Sequence, residues 1–445
     1  MALYRMRNGI QHYAWGSTTD IPRLTGIPNP DDEPMAELWM GDHPRLPSRL
    51  WSGPPGNGGH PSGIREQGLG AFLETYPRFA LGETVRERFG TRLPFLFKLL
   101  SAAKGLSIQV HPSRSQAVEG YEREEAAGVP LDAPYRNYKD RNHKPEILLA
   151  VTPFWALSGF RKPEEIVEDF RGIEGPGDLV SRLENGDLES FYRTLMAPTA
   201  DTAAAGGESG SSGILRRVLE YARTRVGDGG RVSSPEAPVP GPDCRFSWVL
   251  ELNRQFPEDL GALAPLYLNC LYLVPGEALF LESGLLHAYL RGTGIELMAN
   301  SDNVLRGGCT VKHVDLPELL RIVRFEATEN PRFPGVRREL PGAVVTTFAP
   351  PVEEFALQKL EIAGGYTFEK GNTPAILFAL RGEIYCRGTA GDSAGNPAAG
   401  RSVDPPQAFP GEESVTLAPG ESVFVPAAVG GLTLSGSGEA YLASA

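Results

Sequence analysis

The sequence predicts a mainly β protein with an inserted helical subdomain. Apolar runs such as LPFLFKLLS (93–101) and AILFAL (375–380) are short, and the 52 glycines and 39 prolines provide frequent turns between them. Short strands bounded by such turns are typical of sandwiches and barrels. Between residues 161 and 266 apolar residues instead recur three and four positions apart, as in GDLVSRLENGDLESFYRTLM, which indicates amphipathic helices.

The length of 445 residues exceeds one ordinary domain of roughly 150 residues. We expect three parts: residues 1–160 with 267–322 as the β domain that carries the chemistry, 161–266 as the helical insertion, and 323–445 as a second β domain.

Three stretches interrupt this pattern with low-complexity sequence, namely 52–63, 198–213 and 227–243. They lack apolar anchors, so we expect mobile surface loops without an assigned role.

Charge and targeting signals exclude several classes of protein. A net charge of -12 argues against binding to nucleic acid or an anionic membrane. The first residues contain no signal-peptide pattern, and no run of 18 apolar residues occurs. The four cysteines lie far apart, which predicts free thiols rather than disulfides or a cysteine zinc site. We expect a cytoplasmic monomer that acts on a small molecule.

The stretch GLSIQVHPSRSQA (105–117) contains the first candidate site. In an extended chain Ser107, Gln109 and His111 project to one side, and Ile108 and Val110 to the other. This pattern by itself is equally consistent with a solvated polar face and with one wall of a metal site.

Two further segments add possible metal ligands. HKPEILL supplies Glu146 and ESGLLHAY supplies His287, which join Gln109 and His111. Two imidazoles, one carboxylate and one amide oxygen suit zinc and leave room for water or substrate. A single anionic ligand leaves the metal Lewis-acidic. Each histidine alone is more often a core or turn residue, and only the combination indicates a site.

Lys144 precedes a proline, and such residues favour extended geometry. Lys144 and Glu146 should therefore face the same way, which places a cation beside the metal.

A short internal repeat links the two β portions. LVPGEALFLESGLLHAYL (273–290) and LAPGESVFVPAAVGGLTL (417–434) share a PGE turn, and the position of His287 in the first copy is occupied by Gly431 in the second. The second copy would thus lack the ligand. The alternative is that PGE is only a common turn before a strand.

The segment after His287, residues 294–315, is rich in polar and charged residues. Arg306 and Lys312 could bind an anionic substrate, and Glu296 and Asp302 could orient or transfer protons. Without the neighbouring His287 a polar surface loop would be the simpler interpretation.

These motifs together resemble the type I mannose-6-phosphate isomerases. The resemblance runs through IQHYAWGS, AELWMGDHP, PFLFKLLSAAKGLSIQVHPS, NHKPE and GEALFLESGLLHAYLRGTGIELMANSDNVLRGGCTVKHVD, which cover most of residues 1–155 and 265–320. It implies two cupin-type (jelly-roll) β-barrels, the C-terminal one lacking metal ligands. It also implies one Zn²⁺ per chain and an isomerase that interconverts mannose 6-phosphate and fructose 6-phosphate through a cis-enediol. Cys309 and Val311 depart from the family pattern.

The resemblance also implies roles for individual residues. The zinc ligands would be Gln109, His111, Glu146 and His287, and Arg306 would be catalytic. Residues that match positions proposed to handle protons or substrate are Lys98, Ser107, His143, Lys144, Glu296, Asp302 and Lys312. Of these, His143 and Glu296 are the easier bases on pKa grounds.

Two alternatives stay open. Two histidines and one carboxylate also suit ferrous iron, as in a cupin oxygenase or another metal-dependent isomerase. A non-catalytic sugar-binding cupin is the alternative from a different class.

Overall fold

The computed structural model describes residues 2–52, 65–197, 211–226, 242–389 and 406–445. The fold is mainly β, with strands in two sheets and several helices. The strands are β1 (Tyr4–Arg7), β2 (Gly9–Gln11), β3 (Glu37–Met40), β4 (Arg49–Ser52), β5 (Arg65–Gly68), β6 (Phe95–Ala102), β7 (Gln109–Val110), β8 (Glu146–Ala150), β9 (Phe154–Phe160), β10 (Leu268–Leu273), β11 (Ala278–Leu281), β12 (His287–Ala299), β13 (Leu305–Arg306), β14 (Arg332–Phe333), β15 (Val336–Leu340), β16 (Ala343–Phe348), β17 (Ala356–Glu369), β18 (Ala375–Thr389), β19 (Ser414–Leu417), β20 (Ser422–Val425) and β21 (Gly431–Ser444).

Helices occur before, within and after the predicted helical insertion. They are α1 (Asp20–Thr25), α2 (Leu69–Thr75), α3 (Pro77–Phe89), α4 (Arg114–Ala126), α5 (Pro163–Phe170), α6 (Gly177–Glu184), α7 (Leu188–Met196), α8 (Ser211–Val226), α9 (Pro242–Gln255), a 3-10 helix (Leu260–Leu263), α10 (Ala264–Tyr267) and α11 (Leu316–Ile322). The periodicity between residues 161 and 266 thus correctly predicted helices α5 to α10. Among the described residues, every helix is too short or too polar to span a lipid bilayer.

Most of the predicted low-complexity loops lie outside the described residues. Where the structure does describe their ends, the loop prediction is wrong: residues 211–213 begin α8, residues 242–243 begin α9, and Ser52 ends β4. Helices α8 and α9 bury apolar faces, with Val218 and Trp248 fully buried, and this burial stabilises helices that begin within the predicted loops.

The chain forms two compact units. Unit 1 comprises Met1–Ser101, Ile295–Asn300 and Pro334–Ala445, and unit 2 comprises Ala102–Gly294 and Ser301–Phe333. This division cuts the chain at other places than the three-part prediction, because the N-terminal strand β1 pairs antiparallel with the C-terminal strand β20. Short-range sequence patterns carry no signal for such a distant pairing.

Unit 1 contains a sheet with the order β15-β16-β17-β21-β18-β20-β1-β4-β5. The long strands β17 and β21 pair over their whole length, from Ala356↔Ser444 to Glu369↔Gly431. One face of this sheet buries an apolar cluster that includes Leu360, Leu377 and Leu442.

Unit 2 combines shorter strands with helices α5 to α10. Its apolar cluster joins strand residues such as Val110, Trp155 and Leu290 to helix residues such as Phe191 and Trp248. One face of the strands β9, β12, β7 and β13 therefore packs on the helices. Because side chains alternate along a strand, the intervening residues project from the opposite face.

The predicted repeat recurs as structure in both units. In each copy a strand ends at Leu273 or Leu417, and the glutamate of the PGE turn accepts a hydrogen bond from the main-chain N–H three residues before it, at 3.0 Å in the first copy and 2.9 Å in the second. The next long strand begins at His287 in the first copy and at Gly431 in the second. The match therefore extends beyond a common turn to the elements on both sides of it.

We predict that Leu377→Ala lowers the free energy of unfolding by about 2–5 kcal/mol, because it leaves a cavity in the fully buried cluster of unit 1. The matched control is Leu340→Ala on the edge strand β15, where the side chain is 38% exposed; it should change stability by no more than about 0.5 kcal/mol. Chemical denaturation of both variants measures the difference. Equal effects would contradict the assigned core.

Candidate metal centre

Two buried histidines of unit 2 are fixed in orientation by main-chain carbonyl groups. His111 Nδ1 lies 2.8 Å from the carbonyl oxygen of Asn303, and His287 Nδ1 lies 2.9 Å from that of Leu285. A carbonyl oxygen can only accept a hydrogen bond, so Nδ1 carries the proton in both rings. The Nε2 atoms are therefore free to act as ligands.

Glu146 lies between these two Nε2 atoms. Its Oε1 is 3.4 Å from His111 Nε2 and its Oε2 is 3.5 Å from His287 Nε2. The possible ligand atoms of the three residues all lie within 4.8 Å of one another. Exposure of the three residues is 3% or less, and His111 Nε2 has no hydrogen-bond partner in the part of the chain that the structure describes.

The protonation states make this arrangement specific for a cation. Burial lowers the pKa of His111 to about 4, with a further contribution from the charge of Lys144, so the ring is neutral at neutral pH. Burial alone raises the pKa of Glu146, but the charge of Lys144 and the contacts with the two neighbouring imidazoles together outweigh it and hold the pKa well below its usual value. Two imidazole Nε2 atoms and a carboxylate thus meet in a buried interior, which fits a divalent metal such as zinc.

Lys144 points at the same carboxylate, as the pre-proline pattern predicts. Its Nζ lies 2.7 Å from Glu146 Oε1. The cluster therefore combines one anion, one cation and two imidazoles.

Strand register aligns two further predicted residues with His287. His287 pairs with Gln109 on one side and with Ser158 on the other, and Gln109 pairs with Arg306. Directly paired residues project from the same face of a sheet, so Ser158, His287, Gln109 and Arg306 form one row on the face opposite the helices. Within residues 107–111, which the sequence predicts to be extended, only Gln109 and Val110 form a strand, β7.

Arg306 is a partly buried cation in this row. Burial is the only influence that shifts its pKa, in the downward direction, and no acidic side chain of the described residues contributes. A desolvated guanidinium without a counterion favours binding of an anion.

Four other predicted residues of unit 2 occupy different surroundings. Ser107 is partly buried, two residues before Gln109, and Lys312 is exposed. His143 accepts a hydrogen bond at Nε2 from Arg114 Nη2 at 3.1 Å. The main-chain N–H of Asp302 donates to Asp140 Oδ2 at 2.9 Å.

Lys98 and Glu296 belong to unit 1 and form a buried ion pair. Lys98 Nζ lies 2.8 Å from Glu296 Oε2 and 3.5 Å from Glu37 Oε1. Glu37 also accepts a hydrogen bond from Trp39 Nε1 at 2.7 Å.

Sequence reasoning missed three residues around the metal centre. Ser158 is fully buried, and its hydroxyl has no hydrogen-bond partner among the described residues. Asn303 supplies the carbonyl for His111, and Asp140 contacts the side chain of Asn303. The polar run NSDN at 300–303 was visible in the sequence, but a main-chain carbonyl leaves no residue-type signal.

The fold and this cluster define a mainly β metalloprotein with a buried His–Glu–His centre. Residues 3–163 match the family model described as phosphomannose isomerase type I, catalytic domain. The mannose-6-phosphate isomerase of Escherichia coli K12 is 36% identical over 98% of each chain, and the human one is 32% identical over 84% of this chain and 86% of its own. A zinc-bound crystal structure of mannose 6-phosphate isomerase superposes with a TM-score of 0.80 at 33% identity, covering 100% of this chain and 99% of the other. The chain belongs to the type I phosphomannose isomerase family.

We predict that His287→Ala weakens zinc binding by more than the roughly 100-fold loss typical of an outer-shell change, because it removes a ligand atom itself. The control is His12→Ala, since His12 lies on the surface with its side chain 47% exposed. Zinc content after dialysis against a weak chelator compares the two variants. Retention of stoichiometric zinc by His287→Ala would be incompatible with this centre.

Proposed function

We infer that this chain is a zinc-dependent isomerase that interconverts mannose 6-phosphate and fructose 6-phosphate. The observation that carries this inference is the set of three buried residues, His111, Glu146 and His287, whose possible ligand atoms all lie within 4.8 Å of one another. The relatives named mannose-6-phosphate isomerase, which match nearly the whole chain, support the substrate class.

Four residues would hold the zinc ion: His111, Glu146, His287 and, through its amide oxygen, Gln109. The register His287↔Gln109 supports the fourth ligand, because it places both side chains on one face. A bound zinc ion supplies Lewis acidity toward a substrate oxygen, which is worth several kcal/mol of charge stabilisation.

The reaction moves one proton between C2 and C1 and another between the two oxygens, through a cis-enediol with negative character. Arg306 would stabilise that charge, and this role is supported because no acidic side chain of the described residues influences its pKa. Lys144 adds a second positive charge at the cluster.

Other roles are assigned through the family resemblance. His143 and Glu296 are the candidate bases, and Asp302 would orient protons. Contacts to the phosphate and the rest of the substrate are proposed for Ser107, Lys98 and Lys312.

The architecture would be two cupin-type jelly-roll barrels, with residues 161–266 as a helical insertion and the C-terminal barrel free of metal. The segments HKPEILLA (143–150) and NTPAILFA (372–379) support this, since they occupy matching positions in the two copies. Glu146 pairs with Leu281 in the first copy, and Ala375 pairs with the equivalent Val425 in the second. Two of the ligand positions, those of Glu146 and His287, thus hold Ala375 and Gly431.

The decisive experiment measures metal content and turnover on the same sample. Removal of the metal with a chelator should abolish conversion of mannose 6-phosphate to fructose 6-phosphate, and added zinc should restore it. Turnover that survives complete metal removal would rule out the zinc mechanism. Stoichiometric zinc without turnover would indicate a sugar-binding protein, and restoration by ferrous iron but not zinc would indicate another metal-dependent enzyme.

We predict that Arg306→Ala keeps its zinc but lowers kcat by about 100- to 1000-fold, the loss typical when one charge-stabilising group is removed. Arg324→Ala is the control, because Arg324 is a surface residue, 43% exposed and paired with Glu282. A coupled assay at saturating substrate gives kcat for both variants. Normal turnover of Arg306→Ala would remove this residue from the catalytic machinery.

A further inference from the structure

The carbonyl that orients His111 belongs to Asn303, a residue whose side chain is also fully buried. Asn303 Oδ1 accepts the main-chain N–H groups of Lys139 at 2.6 Å and Asp140 at 3.2 Å. Its Nδ2 donates to the carbonyl oxygens of Asp140 and Asn142, both at 2.8 Å. The amide has one permitted orientation, because a flipped amide would set oxygen against oxygen and N–H against N–H.

Asp140 completes the connection from the opposite loop. Its carboxylate accepts hydrogen bonds from Ser301 Oγ at 2.9 and 3.1 Å and from the main-chain N–H of Asp302 at 2.9 Å. A contact of 3.2 Å from Asn303 Nδ2 joins the two side chains. We call Asp140, Ser301 and Asn303 together the loop clasp.

The loop clasp joins two loops that lie next to site residues in the chain. The loop 139–142 leads directly into Lys144 and Glu146, and the loop 301–303 leads into Arg306. The main chain of residue 303 also holds the ring of His111. Movement of Asn303 would therefore disturb the metal ligand His111, because the two residues share a hydrogen bond. It would also disturb the catalytic candidate Arg306, which follows three residues later in the chain.

We propose that Asn303 and Asp140 are positioning residues that set the metal affinity of the centre by fixing the imidazole of His111. This proposal rests on the proposed zinc site. Metal-bound histidines depend on the hydrogen bond at their other nitrogen, and loss of such an outer partner costs about 10- to 100-fold in metal affinity or activity. Here the outer partner is the main-chain carbonyl of Asn303. The side chains of Asn303 and Asp140 hold this main chain in place, so they orient the imidazole indirectly.

The test compares two asparagine-to-aspartate changes in neighbouring surroundings. Asn303→Asp replaces the donor Nδ2 by an oxygen that faces two carbonyl groups and the carboxylate of Asp140. The matched control is Asn137→Asp, where Nδ2 donates to Asp315 Oδ2 at 2.9 Å, so the same change again sets two carboxylates together. Asn137 has no hydrogen bond to Asn303 among the described contacts.

Zinc affinity is measured on apoprotein by competition with a chelator of known affinity, and thermal unfolding of the same apoprotein measures stability. We expect both variants to lose stability, but only Asn303→Asp to bind zinc about 10- to 100-fold more weakly. At saturating zinc its kcat should return toward that of the wild type, and the visible spectrum of its cobalt-substituted form should differ from the wild-type spectrum.

The milder change Asp140→Asn keeps one acceptor oxygen and provides the same comparison if Asn303→Asp does not fold. We expect it to weaken zinc binding by about 10-fold. Unchanged zinc affinity in the folded clasp variants, or an equal loss in Asn137→Asp, would overturn the proposal while leaving the zinc site intact. Failure of the wild-type protein to bind zinc would instead overturn the proposed function.

Discussion

The meeting of three acceptor groups in a dry interior is the constraint on which the rest of this structure depends. A buried carboxylate without compensation costs several kcal/mol, and the neutral imidazole of His111, with a nitrogen lone pair beside that carboxylate, makes the environment worse. Lys144, with its Nζ 2.7 Å from Glu146 Oε1, offsets part of this cost. A divalent cation can bind His111, Glu146 and His287 at the same time. We therefore interpret the cluster as a metal-binding site rather than as an ion pair.

The sheet keeps this unfavourable arrangement in place. Residues on one face of β9, β12, β7 and β13 enter the apolar cluster shared with the helices, which fixes the strands. The other face then has little freedom, and it presents Ser158, His287, Gln109 and Arg306 in one row. A functional group on a packed strand is held more accurately than one on a loop. Helices α5 to α10 thus contribute to the centre through the back of the sheet, and none of their described residues belongs to the metal-binding group.

Local sequence rules predicted a large part of this arrangement. Alternation along 107–111 predicted that Ile108 and Val110 face away from the polar residues, and both enter the apolar cluster. The pre-proline position of Lys144 predicted its contact with Glu146, and the PGE repeat predicted that Gly431 occupies the position of His287. The pairing of β1 with β20 was not predictable, because more than 400 residues separate the partners Tyr4 and Phe424 and neither strand encodes the other. The carbonyl of Asn303 was missed for a different reason, since every residue has a carbonyl and only the fold decides which one meets a histidine.

The two copies of the repeat share their backbone hydrogen bonds and differ in the residues at the ligand positions. Both copies keep the turn, the hydrogen bond of its glutamate and the bond from its glycine N–H to Ala150 or Ala379, at 2.8 Å in each case. Where the first copy buries Glu146 and His287, the second has Ala375 and Gly431 within a sheet whose core is apolar. The same backbone arrangement is therefore compatible with metal ligands at these two positions and with small residues.

It follows that the ligands are not needed to form the strands and turns, and that the buried charge of the first copy is maintained for its affinity toward a cation. A metal that binds only the folded protein returns part of the cost as added stability, in proportion to the logarithm of its concentration relative to Kd.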